Sequence, residues 1–242
     1  MKKIYWNDGH SKTDPGAVGY VVERKVAVKV GDYAIAHLKA NYTVDIKRST
    51  GDIGSLTYIC NEANKFGADL FVSVHFNAGG GDGYEALVYS KDNFELGKVF
   101  EKHVLSVGQN SRGVKYRPDL GVLRLTNMKA ILNEVAFVDN KRDIKDWDEP
   151  HELKKMGIAL AEACAEYLDL PKKTVKYKTV VNNLNHRKKA RLVSTIMQKI
   201  PKDTILNVQS IDKKGWGKVV YKNKTGYVRI KSSTKTYCVK VK

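Results

Sequence analysis

The chain has 242 residues, 42% of them hydrophobic, and a formal net charge of +17, enough length to bury a sizeable core in one large domain or in a medium and a small one. No apolar run is long enough to span a membrane, and the start Met1-Lys2-Lys3-Ile4-Tyr5-Trp6-Asn7 reaches Asp8 before any signal-peptide core. The expectation is a chain made in the cytoplasm without a signal peptide and without membrane insertion. Three widely spaced cysteines, Cys60, Cys164 and Cys238, argue against a disulfide framework or a CxxC metal site, and the first two fall in apolar helical patterns that suit small buried side chains.

In chain order, residues 4–6 read as a short strand. Residues 18–41 read as a long helix, because Val22, Val26, Val30, Ala34 and Leu38 recur at helical spacing. Residues 42–46 alternate like a strand, 56–66 are helical up to Gly67, and 70–76 form the apolar, β-branched run of a central buried strand. Further strands are expected at 84–89, 121–125 and 130–138, with helices at 94–107 and 151–168. This order predicts an α/β domain with a mostly parallel sheet and helices on both faces, its reactive groups gathered at strand ends.

Past Pro171-Lys172-Lys173-Thr174 the sequence changes character. Short β-like runs at 179–181, 191–197, 204–208, 218–221 and 225–230 alternate with turn signals, which predicts a small all-β barrel. Charge divides at the same place: residues 1–171 carry 23 Lys and Arg against 24 Asp and Glu, and residues 172–242 carry 20 against 2. Two domains are therefore expected, 1–171 and 178–242, the second with a polyanionic partner. Nucleic acid, an anionic membrane and an anionic wall polymer all fit that charge.

Four polar residues stand where an α/β domain would expose them. His10 follows the first strand, Glu23 lies early in the next helix, His75 sits near the end of the central strand, and Glu134 lies within the strand at 130–138. Two histidines and a carboxylate are the ligand set of many catalytic zinc sites, and a second carboxylate serves as general base to the water. Each has a plainer reading too: a loop histidine held by a hydrogen bond, or a glutamate facing a helix dipole. Glu134 is the most unusual, since a carboxylate between Ala130-Ile131-Leu132-Asn133 and Val135-Ala136-Phe137-Val138 must find a partner or carry a raised pKa.

The stretch Gly9-His10-Ser11-Lys12-Thr13-Asp14-Pro15-Gly16-Ala17, the stretch Ser73-Val74-His75-Phe76-Asn77-Ala78 and the stretch Asn133-Glu134-Val135-Ala136-Phe137-Val138-Asp139-Asn140 together resemble the motifs of the type 3 N-acetylmuramoyl-L-alanine amidases. The resemblance spans roughly residues 2–169. It implies that His10, Glu23 and His75 ligate Zn²⁺ and that Glu134 is the catalytic carboxylate. The substrate it implies is bacterial peptidoglycan, cut between N-acetylmuramic acid and L-alanine. The sequence departs from many relatives at Ser11, Lys12 and Thr13, where they carry glycines. Asn77 reads equally as a substrate-orienting group or as a strand-end cap.

The tail resembles a bacterial SH3-like domain through Asn183-Leu184-Asn185-His186-Arg187, Lys214-Gly215-Trp216-Gly217-Lys218-Val219 and Lys224-Thr225-Gly226-Tyr227-Val228. That resemblance implies wall targeting through peptide crossbridges or glycans, and together with the charge it makes peptidoglycan and anionic wall polymers the expected partners. Trp216 and Tyr227 suit either a ligand-facing aromatic surface or the barrel core. His37, His103, His151 and His186 have no ligand-like spacing and are expected at surfaces or interfaces. Without a signal peptide, the hydrolase reading favours a phage or prophage endolysin that reaches the wall after release. Two other classes remain in view: a basic nucleic-acid-binding protein, and a non-catalytic wall-binding protein on an amidase scaffold. The first lacks any helix-turn-helix, zinc-finger or RNA-recognition signature.

Overall fold

A computed structural model describes residues 1–49 and 55–241, so positions 50–54 of the first expected domain and Lys242 of the second lie outside the described residues. The chain divides into two compact units, Met1–Pro171 and Lys172–Lys242.

In the first unit the elements run β1 (Lys3–Asn7), α1 (Glu23–Asn41), β2 (Asp45–Ser49), α2 (Leu56–Phe66), β3 (Leu70–Asn77) and β4 (Tyr84–Val88). They continue with α3 (Phe94–Leu105), β5 (Ser111–Tyr116), α4 (Gly121–Arg124), β6 (Lys129–Phe137), α5 (Lys141–Ile144) and α6 (Pro150–Tyr167). The sheet order is β2-β1-β3-β6-β4-β5. All neighbours are parallel except β4, which runs antiparallel to β6. The sheet is thus mixed.

Alternation along the strands separates two cores. Ile4, Trp6, Leu70, Val72, Val74 and Ile131 pack with α1, α3 and α6, while Tyr5, Phe71, Ala130 and Leu132 pack with α2 and α4 on the opposite face. Helices therefore cover both faces. Local signals set the helix ends: Ser55 Oγ accepts the Tyr58 N–H at the start of α2, Gly67 ends it in the left-handed conformation, and Pro150 opens α6. Cys60 and Cys164 are buried and free, as their helical patterns suggest.

Two sequence expectations for this unit need correction, and one strand was not expected. Residues 121–125 are not a strand but the short helix α4, whose Leu125 N–H donates to Gly121 O; an apolar run this short has no period to tell strand from helix. The long helix starts at Glu23 rather than residue 18, because Gly19 and Tyr20 turn against Val138, where Tyr20 N donates to Val138 O at 2.8 Å. Strand β5 carries Arg112 and Lys115 among few apolar residues and gave no apolar signal.

The second unit contains β7 (Val175–Thr179), β8 (Leu184–Arg187), β9 (Ile196–Ile200), β10 (Ile205–Ile211), β11 (Trp216–Tyr221), β12 (Lys224–Arg229) and β13 (Cys238–Lys240). They form one antiparallel sheet, ordered β13-β7-β10-β11-β12-β8-β9. Its core is Leu184, Ile200, Leu206, Val208, Val219, Val228, Ile230 and Cys238. Residues 191–195, expected at the start of a strand, form a turn in which Ser194 N–H donates to Arg191 O, and the strand begins at Ile196. His186 is not at a surface: it is fully buried, edge-on to Tyr221, because strand alternation from Leu184 turns it inward. His37 and His103 are part-buried partners of Glu162 and Glu166, and His151 is exposed.

Candidate active site

Period-two alternation builds one row of the site. Along β3, Leu70, Val72 and Val74 face α1, which leaves His75 on the other face, beyond the part that α2 covers. Along β6, Ala130, Leu132 and Glu134 share that same face. The register pairs His75 with Glu134 across the parallel β3–β6 ladder, and Glu134 with Glu85 across the antiparallel β6–β4 ladder. His75, Glu134 and Glu85 therefore stand side by side across three strands, about 4.8 Å per step.

The loop after β1 brings His10 to the row, and the first turn of α1 brings Glu23. His10 Nε2 and His75 Nδ1 each lie 2.9 Å from Glu23 Oε1, and the two rings meet edge to face at 4.9 Å. One ligand atom from each of His10, Glu23 and His75 falls within 4.8 Å of the others. Glu23 is further fixed by backbone N–H groups, from Ala17 to Oε2 at 2.8 Å and from Phe76 to Oε1 at 3.1 Å. A carboxylate so placed does more than face its helix dipole.

Backbone strain and close approach mark the same loop. His10 has φ 53°, a left-handed conformation costly for a residue with a Cβ. Gly16, at φ 70°, lies so near the cluster that a Cβ there would sit 2.5 Å from Glu23 Oε2 and 2.6 Å from the His10 ring. Asp14 Oδ2 holds His10 Nδ1 at 2.9 Å, which leaves Nε2 aimed into the cluster.

The electrostatics follow from these contacts. Hydrogen bonding to Glu23 raises His10 to about 9 against the opposing effect of burial. Burial pushes the Glu23 carboxyl up, but the hydrogen bonds from His10 and His75 outweigh it and bring the group down to about 2. Glu134 behaves oppositely. Its Oε2 is buried with no hydrogen-bond partner among the described residues, and burial, helped by Glu23 and Glu85, raises it to about 7. An ionised Glu23 between two imidazoles, beside a carboxyl with one unpartnered oxygen, is a donor set suited to a cation.

Glu85 lay outside the sequence reading. It is buried, and its Oε1 accepts Lys115 Nζ at 2.5 Å and Arg112 Nε at 2.6 Å, bonds that hold it ionised despite burial. A carboxylate within the apolar run Tyr84–Val88 was the signal, the same one that singled out Glu134. Asp14 was also missed as a partner of His10, although the four-residue spacing in a turn brings them together. Asn77 leans toward the capping reading: its Oδ1 accepts the Ala78 N–H at 2.8 Å and its Nδ2 reaches Glu85 at 3.4 Å.

In the second unit, Trp216 and Tyr227 lie on one face of the β11–β12 ladder, opposite Val219 and Val228 of the core. Trp216 is 3% exposed yet outside that core, covered by the Arg229 guanidinium 5.1 Å from its ring. It lines a hollow of about 190 Å³ that Tyr227 does not line.

Fold and site define a class: an α/β domain with a His–Glu–His cluster able to hold a metal ion beside an unpaired carboxylate. The chain belongs to the N-acetylmuramoyl-L-alanine amidase family, whose sequence profile matches residues 4–166. It is 34% identical over 188 residues to the endolysin of Bacillus phage SPP1, covering 72% of this chain and 69% of that protein. It is 30% identical over 179 residues to the N-acetylmuramoyl-L-alanine amidase CwlM of Bacillus licheniformis, covering 71% of each. Among solved structures, the catalytic domain of the amidase CwlV from Bacillus (Paenibacillus) polymyxa var. colistinus superposes with a TM-score of 0.66 at 25% identity, over 71% of this chain and all of that one.

Proposed function

We propose that the chain hydrolyses the amide bond between N-acetylmuramic acid and L-alanine in peptidoglycan, with Zn²⁺ held by His10, Glu23 and His75 and Glu134 as the catalytic carboxylate. The observation that carries this reading is the convergence of three ligand atoms within 4.8 Å beside a carboxylate oxygen that lacks a partner. The residues fit the ion: two imidazoles and one carboxylate are donors that would hold zinc, as in many catalytic zinc sites, and Gly16 leaves beside them the space a side chain would fill. When bound, zinc supplies Lewis acidity, polarising the lactyl carbonyl and acidifying a water toward a pKa of ~7.

The chain's own groups do the rest. Asp14 fixes the His10 ring through Nδ1. Glu134, poised near neutrality, accepts the proton of the attacking water and hands it to the departing L-alanine nitrogen, so one carboxyl serves first as base and then as acid. The products are a lactyl carboxylate on the intact glycan and a stem peptide with a free amino terminus. Glu85 stays ionised through Arg112 and Lys115 and takes no proton.

Similarity to a phage endolysin supports a phage or prophage lysin that acts on the wall after release from the cell. Among the described residues no helix is long and apolar enough to cross a membrane. The second unit, antiparallel and strongly basic, is assigned to wall binding as an SH3-like domain, with its 20 Lys and Arg against 2 Asp as support. The test is mass spectrometry of digested peptidoglycan. Free stem peptides beginning at L-alanine with uncut glycan strands are expected; cut sugars or cut crossbridges refute the assignment.

A further inference from the structure

The second unit carries far more positive charge than its fold uses. Both of its aspartates are engaged: Asp203 lies 3.3 Å from Lys178 Nζ, and Asp212 Oδ1 accepts the backbone N–H groups of Lys214 at 2.8 Å and Trp216 at 2.9 Å. Six of its cations, Arg187, Lys213, Lys214, Arg229, Lys231 and Lys235, gather around two hollows. The hollows share Arg229 as a common wall. The smaller, of about 190 Å³, is lined by Asn183, Asn185, Arg187, Trp216, Lys235 and Tyr237 together with Arg229 and neighbouring residues. The larger, of about 430 Å³, is lined by Lys213, Lys214, Gly215, Lys231, Ser232 and Ser233 together with Arg229.

The backbone forces these cations together. Gly215, at φ 77°, presses so closely on the segment after β12 that a Cβ would sit 2.2 Å from Lys231 O, and its own carbonyl accepts the Ile230 N–H at 2.8 Å. That contact sets Lys213 and Lys214 beside Lys231. Arg229 lies over Trp216, and its Nε donates to Lys231 O at 3.0 Å. Among the described residues no acceptor takes its terminal amino groups and no carboxylate pairs with Lys213, Lys214, Lys231 or Lys235. Cations gathered on one surface raise a positive potential that draws an anion.

We propose that the two hollows form one cleft for a polyol-phosphate polymer, a chain of hydroxylated units joined by phosphodiesters, such as coats bacterial walls; the proposal rests on the wall-binding role given to this unit. Phosphates sit between Arg229, Lys214 and Lys231, where a guanidinium fork and two ammonium groups match their oxygens. The amides of Asn183 and Asn185 meet the hydroxyl groups in the smaller hollow. Single-stranded nucleic acid fits less well, because bases need an open aromatic face and Arg229 covers that of Trp216.

The test uses the full chain with soluble poly(glycerol phosphate), and with bacterial walls before and after acid extraction of their phosphodiester polymers. Lys214→Gln/Lys231→Gln is compared with Lys199→Gln/Lys202→Gln, which removes the same charge outside the cleft. The cleft pair is expected to lose at least tenfold in affinity for the polymer and the outer pair less than threefold, with both cleaving a soluble muropeptide at the unaltered rate. Equal losses in the two pairs would overturn the cleft. So would a single-stranded oligonucleotide of equal phosphate number that binds more tightly and depends on the same lysines. Extracted walls that bind as well as intact walls refute the polymer while leaving wall targeting in place. Failure to bind either kind of wall refutes the targeting role itself.

Discussion

Replacing Glu134 by Gln should make the metal-free first unit more stable while removing turnover. Burial raises this carboxyl from 4.5 to about 7, so the folded state holds a proton that the unfolded chain releases. Stability therefore falls as pH rises from 4.5 to 7, and the whole penalty is present above that window. At about 1.36 kcal/mol per pH unit the penalty is roughly 3 kcal/mol, an upper figure because the introduced amide must itself find partners. A gain of about 1–3 kcal/mol at pH 8, vanishing below pH 4.5, is expected. Calorimetry of chelator-treated protein at pH 8 and pH 4.5, following the transition of residues 1–171, measures it. Loss of the proton-transfer group should cut turnover by about 10²–10⁴ with the zinc content unaltered. A Gln variant that is less stable at pH 8, or that loses its zinc, would show that Glu134 is a structural or ligating residue instead.

Three further outcomes are expected. His10→Ala and His75→Ala should each lower the zinc retained per chain on metal analysis, and chelation of the unaltered enzyme should abolish muropeptide cleavage until zinc is returned; retention of a full equivalent by either variant would remove that residue from the ligand set. Gly16→Ala should weaken zinc binding by about 10–100-fold in a competition titration, the range for disturbing groups that orient ligands, since its Cβ would meet Glu23 Oε2 at 2.5 Å; unaltered affinity would refute the crowding argument. Residues 1–171, which hold two core clusters of their own, should cleave soluble muropeptide at the full-length rate yet act more slowly on intact walls, because tethering raises local concentration. Equal rates on walls at every salt concentration would deny the second unit its role.

The sequence alone determined a good deal here. Long periodic segments, read as 18–41 and 151–168 and found at 23–41 and 150–167, the apolar strand around His75 and the charge break after Pro171 were legible because each rests on local chemistry: repeat spacing, β-branching, composition. The polar residues His10, Glu23, His75 and Glu134 could also be picked out, since each interrupts or caps an apolar pattern. Their partnership could not. His10 and Glu134 stand 124 positions apart, and only the β3–β6 register sets His75 beside Glu134, a fact of strand pairing that no local window contains. The antiparallel insertion of β4 decided that Glu85 joins the row, where Arg112 and Lys115 pair with it while Glu134 Oε2 has no hydrogen-bond partner among the described residues. The same holds for Trp216. Its motif allowed core or surface, and only the cross-strand pairing with Arg229 shows it buried beneath a cation, on the sheet face away from Val219 and Val228. Which residues form elements is written locally, whereas which side chains share a hydrogen bond, a face or a desolvated pocket depends on contacts between segments distant in the chain.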